Sequence, residues 1–130
     1  MAGEVRIQKR VLERMAEEAR RNPAEECCGL LAGRDGGITD IFPAANALAS
    51  ATEFEIAPAE LFRIFRAMRE AGLEHLGIYH SHPRGPGTPS ARDVERAFYP
   101  EAAYFVLSPA GVMAFVVRDG KVYDLEIKVE

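Results

Sequence analysis

The sequence predicts an α/β (α+β) layered domain: a mixed, largely antiparallel sheet flanked by helices. Three observations carry this. Strand-like runs outnumber stretches of helical period, two amphipathic stretches are long enough for helices, and the last three apolar runs are joined by tight turns, which makes them antiparallel neighbours. The 130 residues contain no repeat, low-complexity tract or linker, so one domain spanning 1–130 is expected, large enough to bury its own core.

The elements follow in order. "EVRIQ" alternates and reads as a first strand. "KRVLERMAEEARRN" sets Val11, Leu12, Met15 and Ala19 on one helical face and ends at Asn22-Pro23. The apolar run Cys27 to Ala32 suits a buried strand closed by the "GRDGG" turn. "ITDIFPAAN" is a weaker strand and "TEFEIAP" a short alternating one. A second helix starts at Pro58 and stops before Gly72, with Leu61, Phe62, Phe65 and Met68 as its core stripe. "HLGIYHSH" is a strand, a Pro/Gly loop runs to Pro89, and "SARDVERAF" restarts a short helix. "AAYFVLS" and "VMAFVVRD" are strands joined by "PAG", and Asp119-Gly120 is a hairpin signal. The last strand places Tyr123, Leu125, Ile127 and Val129 on one face.

Composition narrows the function classes. A formal net charge of -4 with no basic block leaves no electrostatic footprint for nucleic acid. No window approaches a membrane span, and the N-terminus lacks the apolar core of a signal peptide. The two cysteines, Cys27 and Cys28, are adjacent and form no disulfide framework. A soluble cytoplasmic protein in a reducing compartment is expected. An oligomeric state is not legible, and a homodimer is carried as an expectation only.

The chemistry concentrates in "GIYHSHPRGPGTPSARD". His80 and His82, two apart on a strand, point to one face, as two ligands of one metal must. Pro83 ends the strand immediately after them. Asp93 offers a third ligand, although "SARD" has the spacing of a capping box with Ser90 as N-cap. A first-turn carboxylate can serve both purposes if the loop folds the helix start over the strand end. Two histidines and an aspartate leave one tetrahedral position open, the arrangement of a catalytic zinc, with Fe²⁺, Mn²⁺ and Co²⁺ also compatible by ligand type. A metal-dependent hydrolase also needs a base, for which Glu25 and Glu26 are the candidates; spacing alone does not choose between them.

These residues resemble the JAMM (MPN+) metallopeptidases. "HSHPRGPGTPSARD" matches that signature at His80, Ser81, His82, Pro83, Pro89, Ser90 and Asp93, and "EECCGLLAG" is similar to its upstream Glu-x-Cys-Gly-Leu-Leu with Glu26 three residues before Gly29. The resemblance covers essentially the whole chain and implies a JAMM/cytidine-deaminase-like layered domain. It implies His80, His82 and Asp93 as ligands of one Zn²⁺ per chain, Glu26 as general base, and Ser90 as stabiliser of the oxyanion. All five positions are present, unlike in the inactive MPN− members. The implied substrate is an amide or isoamide bond at the C-terminal tail of a ubiquitin-like protein. Because the chain is compact, it looks like the prokaryotic branch, some members of which process sulfur carriers. The alternative is a non-catalytic module that binds a ubiquitin-like partner around a structural metal. A nuclease-associated relative fits poorly with the charge.

Other residues read as structural. Cys27 and Cys28 read as small core hydrophobes, Tyr79 and Tyr99 as packing, His75 as surface, and Arg84 and Arg92 as solvated charges beside the site loop.

Overall fold

A computed structural model describes residues 3–130. Seven strands and three helices follow one another as β1 (Glu4–Ile7), α1 (Lys9–Arg21), β2 (Cys28–Arg34), β3 (Gly37–Ala44), α2 (Pro58–Glu70), β4 (Glu74–Ser81), α3 (Ala91–Glu95), β5 (Ala103–Ser108), β6 (Gly111–Arg118) and β7 (Lys121–Val129). The sheet order is β1-β3-β2-β4-β5-β6-β7, and β7 pairs with β1 so that the sheet closes on itself. Pairs β2/β3, β2/β4, β5/β6 and β6/β7 are antiparallel, while β1/β3, β1/β7 and β4/β5 are parallel. This is the mixed sheet with flanking helices that the strand pattern predicts; closure into a barrel is the addition.

Successive strand residues face opposite ways, so each strand feeds two cores. Leu31, Tyr79, Phe105 and Ala114 pack with Val11 and Met15 of α1. Leu30, Ile78, Val106 and Phe115 pack with Ile64 and Met68 of α2. The adjacent cysteines divide in the same way, Cys28 joining the α2 side and Cys27 the α1 side, and both are free thiols. Gly29 permits the close approach of β4 to β2: a Cβ there would lie 2.6 Å from the Tyr79 ring and 2.6 Å from the Phe42 carbonyl oxygen.

Four local expectations are corrected. "TEFEIAP" forms no strand; Ile56 packs against the α2 core, and the segment is held by the Asn46 side chain and a single backbone bond, Ala47 N–H to the Glu55 carbonyl at 2.8 Å, rather than a ladder. In α2 the buried residues are Ile64 and Met68, with Leu61 and Phe65 packed beside them, whereas Phe62 is 67% exposed because it lies off that line. On β7 only Leu125 and Ile127 are half-buried from the expected apolar face, packed against the α1-side core, while Tyr123 and Val129 are exposed. His75 is not a surface residue: it sits edge-on to Phe65 and Tyr99, with Nε2–H donating to the Gly77 carbonyl at 3.0 Å. Burial there lowers its pKa, with the Gly77 bond opposing. Among the described residues, no helix is long and apolar enough to cross a membrane.

Candidate metal centre

The site forms where β4 runs out. The parallel pairing of β4 with β5 and its antiparallel pairing with β2 fix His80 opposite Val106 and Cys28. The chain is held for two residues more by Ser81 N–H to the Cys27 carbonyl at 3.0 Å and His82 N–H to the Leu107 carbonyl at 2.7 Å. The two imidazoles therefore share a face, as their spacing predicts, and their Nε2 atoms stand 3.0 Å apart. Both are buried. Ser81, between them, points the other way and accepts from the Cys27 N–H at 2.8 Å.

The Pro/Gly loop returns α3 over this pair. Asp93 Oδ2 lies 3.2 Å from His80 Nε2 and 3.1 Å from His82 Nε2. The same oxygen accepts from Ser90 N–H at 2.8 Å, while Ser90 Oγ accepts from Asp93 N–H at 3.1 Å. The capping box and the three-atom cluster are thus one arrangement: the carboxylate that caps the start of α3 is the one that faces both imidazoles. His82 Nδ1–H donates to the Pro86 carbonyl at 2.7 Å, which leaves its Nε2 lone pair facing the cluster.

Glu26, not Glu25, reaches the site. Its side chain is 3% exposed, and Oε2 stands 3.9 Å from His82 Nε2, set back from the tighter trio. Oε1 is buried without a hydrogen-bond partner. Burial pushes the Glu26 carboxyl up to about 7; His82 opposes this, while Asp93 and Glu53 add to it. Burial alone would also raise Asp93, but its bonds from His80 and His82 outweigh that and hold its carboxyl well below the usual range. His80 is lowered by burial, and His82 is raised chiefly by its bond to Asp93.

The donor set fits a divalent ion. Zinc–ligand distances of about 2.0–2.2 Å in a tetrahedron require ligand atoms separated by about 3.3–3.6 Å, a little wider than the 3.0–3.2 Å found among His80, His82 and Asp93. Glu26, His80 and His82 also offer ligand atoms within 4.8 Å of one another, with Glu26 the more distant member. With Nδ1–H given to Pro86, the His82 Nε2 lone pair and the Asp93 carboxylate oxygen are two acceptors turned toward one point, a pairing that suits a shared cation.

Two residues that the sequence reading missed hold this centre. Asn46 is 8% exposed and donates through Nδ2 to the carbonyls of Glu26 at 3.1 Å, Ser50 at 3.3 Å and Glu53 at 2.9 Å. Its Oδ1 accepts from the N–H groups of Leu48 and Glu55, and Glu26 N–H in turn donates to the Ser50 carbonyl at 2.7 Å. The strap formed by residues 46–55 is thereby tied to the base candidate. Phe54, carried on that strap, stacks on His80 with ring centroids 4.5 Å apart. The sequence reading ended the weaker strand "ITDIFPAAN" on Asn46 and gave it no role; a polar Asn at a strand end was the one signal available.

A cleft of about 250 Å³ opens beside His80 and Asp93, with Leu30, Ile78 and Phe115 in its floor. Arg92 pairs with Glu53 across its rim, and Arg96 lies 3.9 Å from the same carboxylate. Arg92 is thus a latch between α3 and the strap rather than a free surface charge.

Comparison with known proteins finds relatives along most of the chain. A desampylase from Haloferax volcanii is 38% identical over 106 residues, covering 79% of this chain and 76% of the relative. A probable TtuB-protein conjugate cleaving protease from Thermus thermophilus is 33% identical, over 88% of this chain and 77% of the relative. A CysO-cysteine peptidase from Mycobacterium tuberculosis is 32% identical, over 91% and 82%. A solution structure from Desulfitobacterium hafniense superposes with a TM-score of 0.86 at 32% identity, covering 97% of this chain and 92% of that one. A JAB1/MPN domain protein from Archaeoglobus fulgidus shares the fold with a TM-score of 0.68 at 16% identity, over 99% of both. Fold and site define the class, a compact hydrolase of the JAMM/MPN type. Within it the chain belongs to the prokaryotic homologues of the JAB domain, whose family model matches residues 8–122.

Proposed function

We propose that the protein is a zinc-dependent peptidase that hydrolyses the amide bond at the C-terminal tail of a ubiquitin-like or sulfur-carrier protein. The observation that carries this reading is the convergence of a buried, unpartnered Glu26 carboxyl on the His80–His82–Asp93 trio. His80, His82 and Asp93 would hold one Zn²⁺. When bound, the ion would polarise the scissile carbonyl and lower the pKa of a water to about 7.

The protein's own groups perform the remaining work. Glu26, with its pKa near neutrality, takes a proton from the attacking water and delivers it to the departing nitrogen. Ser90 Oγ accepts from Asp93 N–H with a lone pair, so its hydroxyl proton stays available to the oxyanion. Capping and oxyanion stabilisation use different parts of the hydroxyl. Phe54 and the apolar floor of the cleft keep water away from His80, which strengthens each electrostatic contact. A binding module with a structural metal would give Glu26 no reason to be buried beside the trio without a partner.

The relatives' substrates supply the test. CysO bearing one C-terminal cysteine, incubated with the zinc-loaded protein, should lose the mass of that residue in a mass spectrum, and chelation should stop the loss. An unchanged mass with CysO and with TtuB conjugates alike would overturn the reading.

A further inference from the structure

The loop between β4 and α3 does more than span a gap. Among the described residues, the segment from Pro83 to Pro89 makes two hydrogen bonds, and both run to His82. Gly85 N–H donates to the His82 carbonyl at 3.0 Å, and the Pro86 carbonyl accepts from His82 Nδ1–H at 2.7 Å. With no other bond to hold it, the height of the loop over His82 depends on what the loop rests on. Gly87, next to Pro86, rests on Ser108 at the end of β5. A Cβ at position 87 would lie 2.8 Å from Ser108 Oγ, 3.7 Å from Ser108 Cβ and 3.9 Å from Ala110 Cβ. Ser108 Oγ is itself engaged, since it accepts from Ala110 N–H at 3.1 Å. Gly85 has a φ of +65°, whereas Gly87 has no positive φ that calls for glycine. What residue 87 supplies is room.

The two imidazoles are held in different ways. His80 Nδ1 is buried with no hydrogen-bond partner, and that ring is held by the Phe54 ring stacked 4.5 Å away. His82 is oriented through Nδ1 by the Pro86 carbonyl. A ring N–H given to a carbonyl fixes the tautomer and makes the opposite nitrogen a stronger ligand. In His82 that opposite nitrogen is Nε2, 3.1 Å from Asp93 Oδ2 and 3.9 Å from Glu26 Oε2. Of the two histidines, only His82 therefore depends on the loop for its aim.

We propose that Gly87 is a positioning residue for His82: its missing side chain lets the loop settle on Ser108, and that seat holds the Pro86 carbonyl where it aims His82 Nε2 into the metal centre. The inference rests on the metal centre of the peptidase reading above. It adds to that centre a residue that bonds to none of His80, His82 and Asp93. A methyl group at position 87 lifts the loop from Ser108, and the Pro86 carbonyl then draws away from Nδ1. The imidazole loses its fixed tautomer and its aim together, while the cap formed by Ser90 and Asp93 stays in place because its bonds are local.

Two measurements on the full chain test this, and neither needs a substrate. In the first, zinc affinity is read by competition with a chromophoric chelator. Gly87→Ala should weaken it about tenfold, the low end for disturbing a ligand's hydrogen-bond partner, because the bond is stretched and not removed. With Ser108→Ala already present, the nearest neighbours of the new methyl lie at 3.7 Å and 3.9 Å. In that background Gly87→Ala should cost less than about twofold, the limit expected for sites that no longer interact. A similar loss in both backgrounds, or none in either, would overturn the seat. The second measurement follows the ring Hδ1 resonances of the zinc-loaded protein by NMR. The His82 proton should lie downfield of the His80 proton, which has no acceptor. It should move towards that position in Gly87→Ala and return when Ser108→Ala is added; a His82 proton that stays in place in Gly87→Ala would overturn the proposal. The expected pattern with no cleavage of CysO or TtuB conjugates would sustain the seat and overturn the peptidase reading, and a chain that binds no zinc would overturn both.

Discussion

Ser90 and Asp93 hold each other from both sides: the Ser90 hydroxyl accepts from the Asp93 amide at 3.1 Å, and the Asp93 carboxylate accepts from the Ser90 amide at 2.8 Å. That carboxylate oxygen is also the one 3.1–3.2 Å from both imidazoles. Ser90→Ala removes the cap and the free hydroxyl proton together. The cap should cost about 0.5–2 kcal/mol of stability, and the lost oxyanion donor about 100- to 1,000-fold in kcat. Thermal melts and steady-state kinetics on the zinc-loaded variant separate the two, because below the melt only the second lowers kcat. A kcat within twofold of wild type would exclude an oxyanion role for Ser90.

Glu26→Gln keeps the shape of the side chain and removes its base. Its zinc content and melting temperature should match or exceed those of the wild type, because a buried carboxyl is replaced by a neutral group. Hydrolysis should fall by at least about 100-fold, the low end of general-base contributions. Metal analysis paired with single-turnover kinetics checks both halves.

Asn46→Ala should act on chemistry through Glu26. The substitution removes the bond to the Glu26 carbonyl and unties the strap of residues 46–55. At a temperature where the variant stays folded, kcat should fall about tenfold or more, while the d–d spectrum of the Co²⁺-substituted protein stays unchanged, since His80, His82 and Asp93 are not touched. Asn46→Asp, which keeps the acceptor and loses the donors, should behave like Asn46→Ala. A changed Co²⁺ spectrum in either variant would mean that Asn46 holds the ligands and not the base.

Chelation should abolish activity and spare the fold. Both hydrophobic clusters form without any contribution from His80, His82 or Asp93. Far-UV circular dichroism should therefore persist after metal removal, with the melting temperature lowered by the lost binding free energy. Unfolding on chelation would instead favour a structural metal.

His75 should make the protein acid-sensitive. Its pKa is lowered in the fold by burial, so the unfolded chain takes up the proton first as pH falls below about 6.5. The neutral ring's contribution is whole above that value and is lost as pH falls towards the folded pKa. His75→Phe keeps an aromatic ring against Phe65 and Tyr99. The difference in denaturation midpoint between pH 7.5 and pH 5 should be smaller in the variant than in the wild type, and an equal difference would show that His75 does not titrate in this window.

How much was legible differs by residue. His80 and His82 were readable because a period of two puts both side chains on one face in any strand, and Pro83 marks where the strand stops. The apolar face of α1 was readable from its helical period, and Val11 and Met15 are fully buried. Phe62 was misassigned because a stripe of four apolar residues at helical spacing does not say which side the sheet approaches. His75 was misplaced because its partners, Phe65 and Tyr99, lie on other elements. "TEFEIAP" alternates as a strand would, but the Asn46 side chain and the Ala47 amide take the Glu53 and Glu55 backbone groups that a neighbouring strand would otherwise have paired.

By itself, the sequence determined the order of elements, the facing histidine pair and the cap that starts α3, since each follows from bonds or periodicity within a few residues. Spacing left Glu25 and Glu26 open and the family resemblance implied Glu26; only the tertiary structure decided that its buried carboxyl stands 3.9 Å from His82 and that Asn46 ties its backbone there. Those relationships join segments that are distant along the chain, and their free energy depends on burial and on distances that exist only once the sheet has closed.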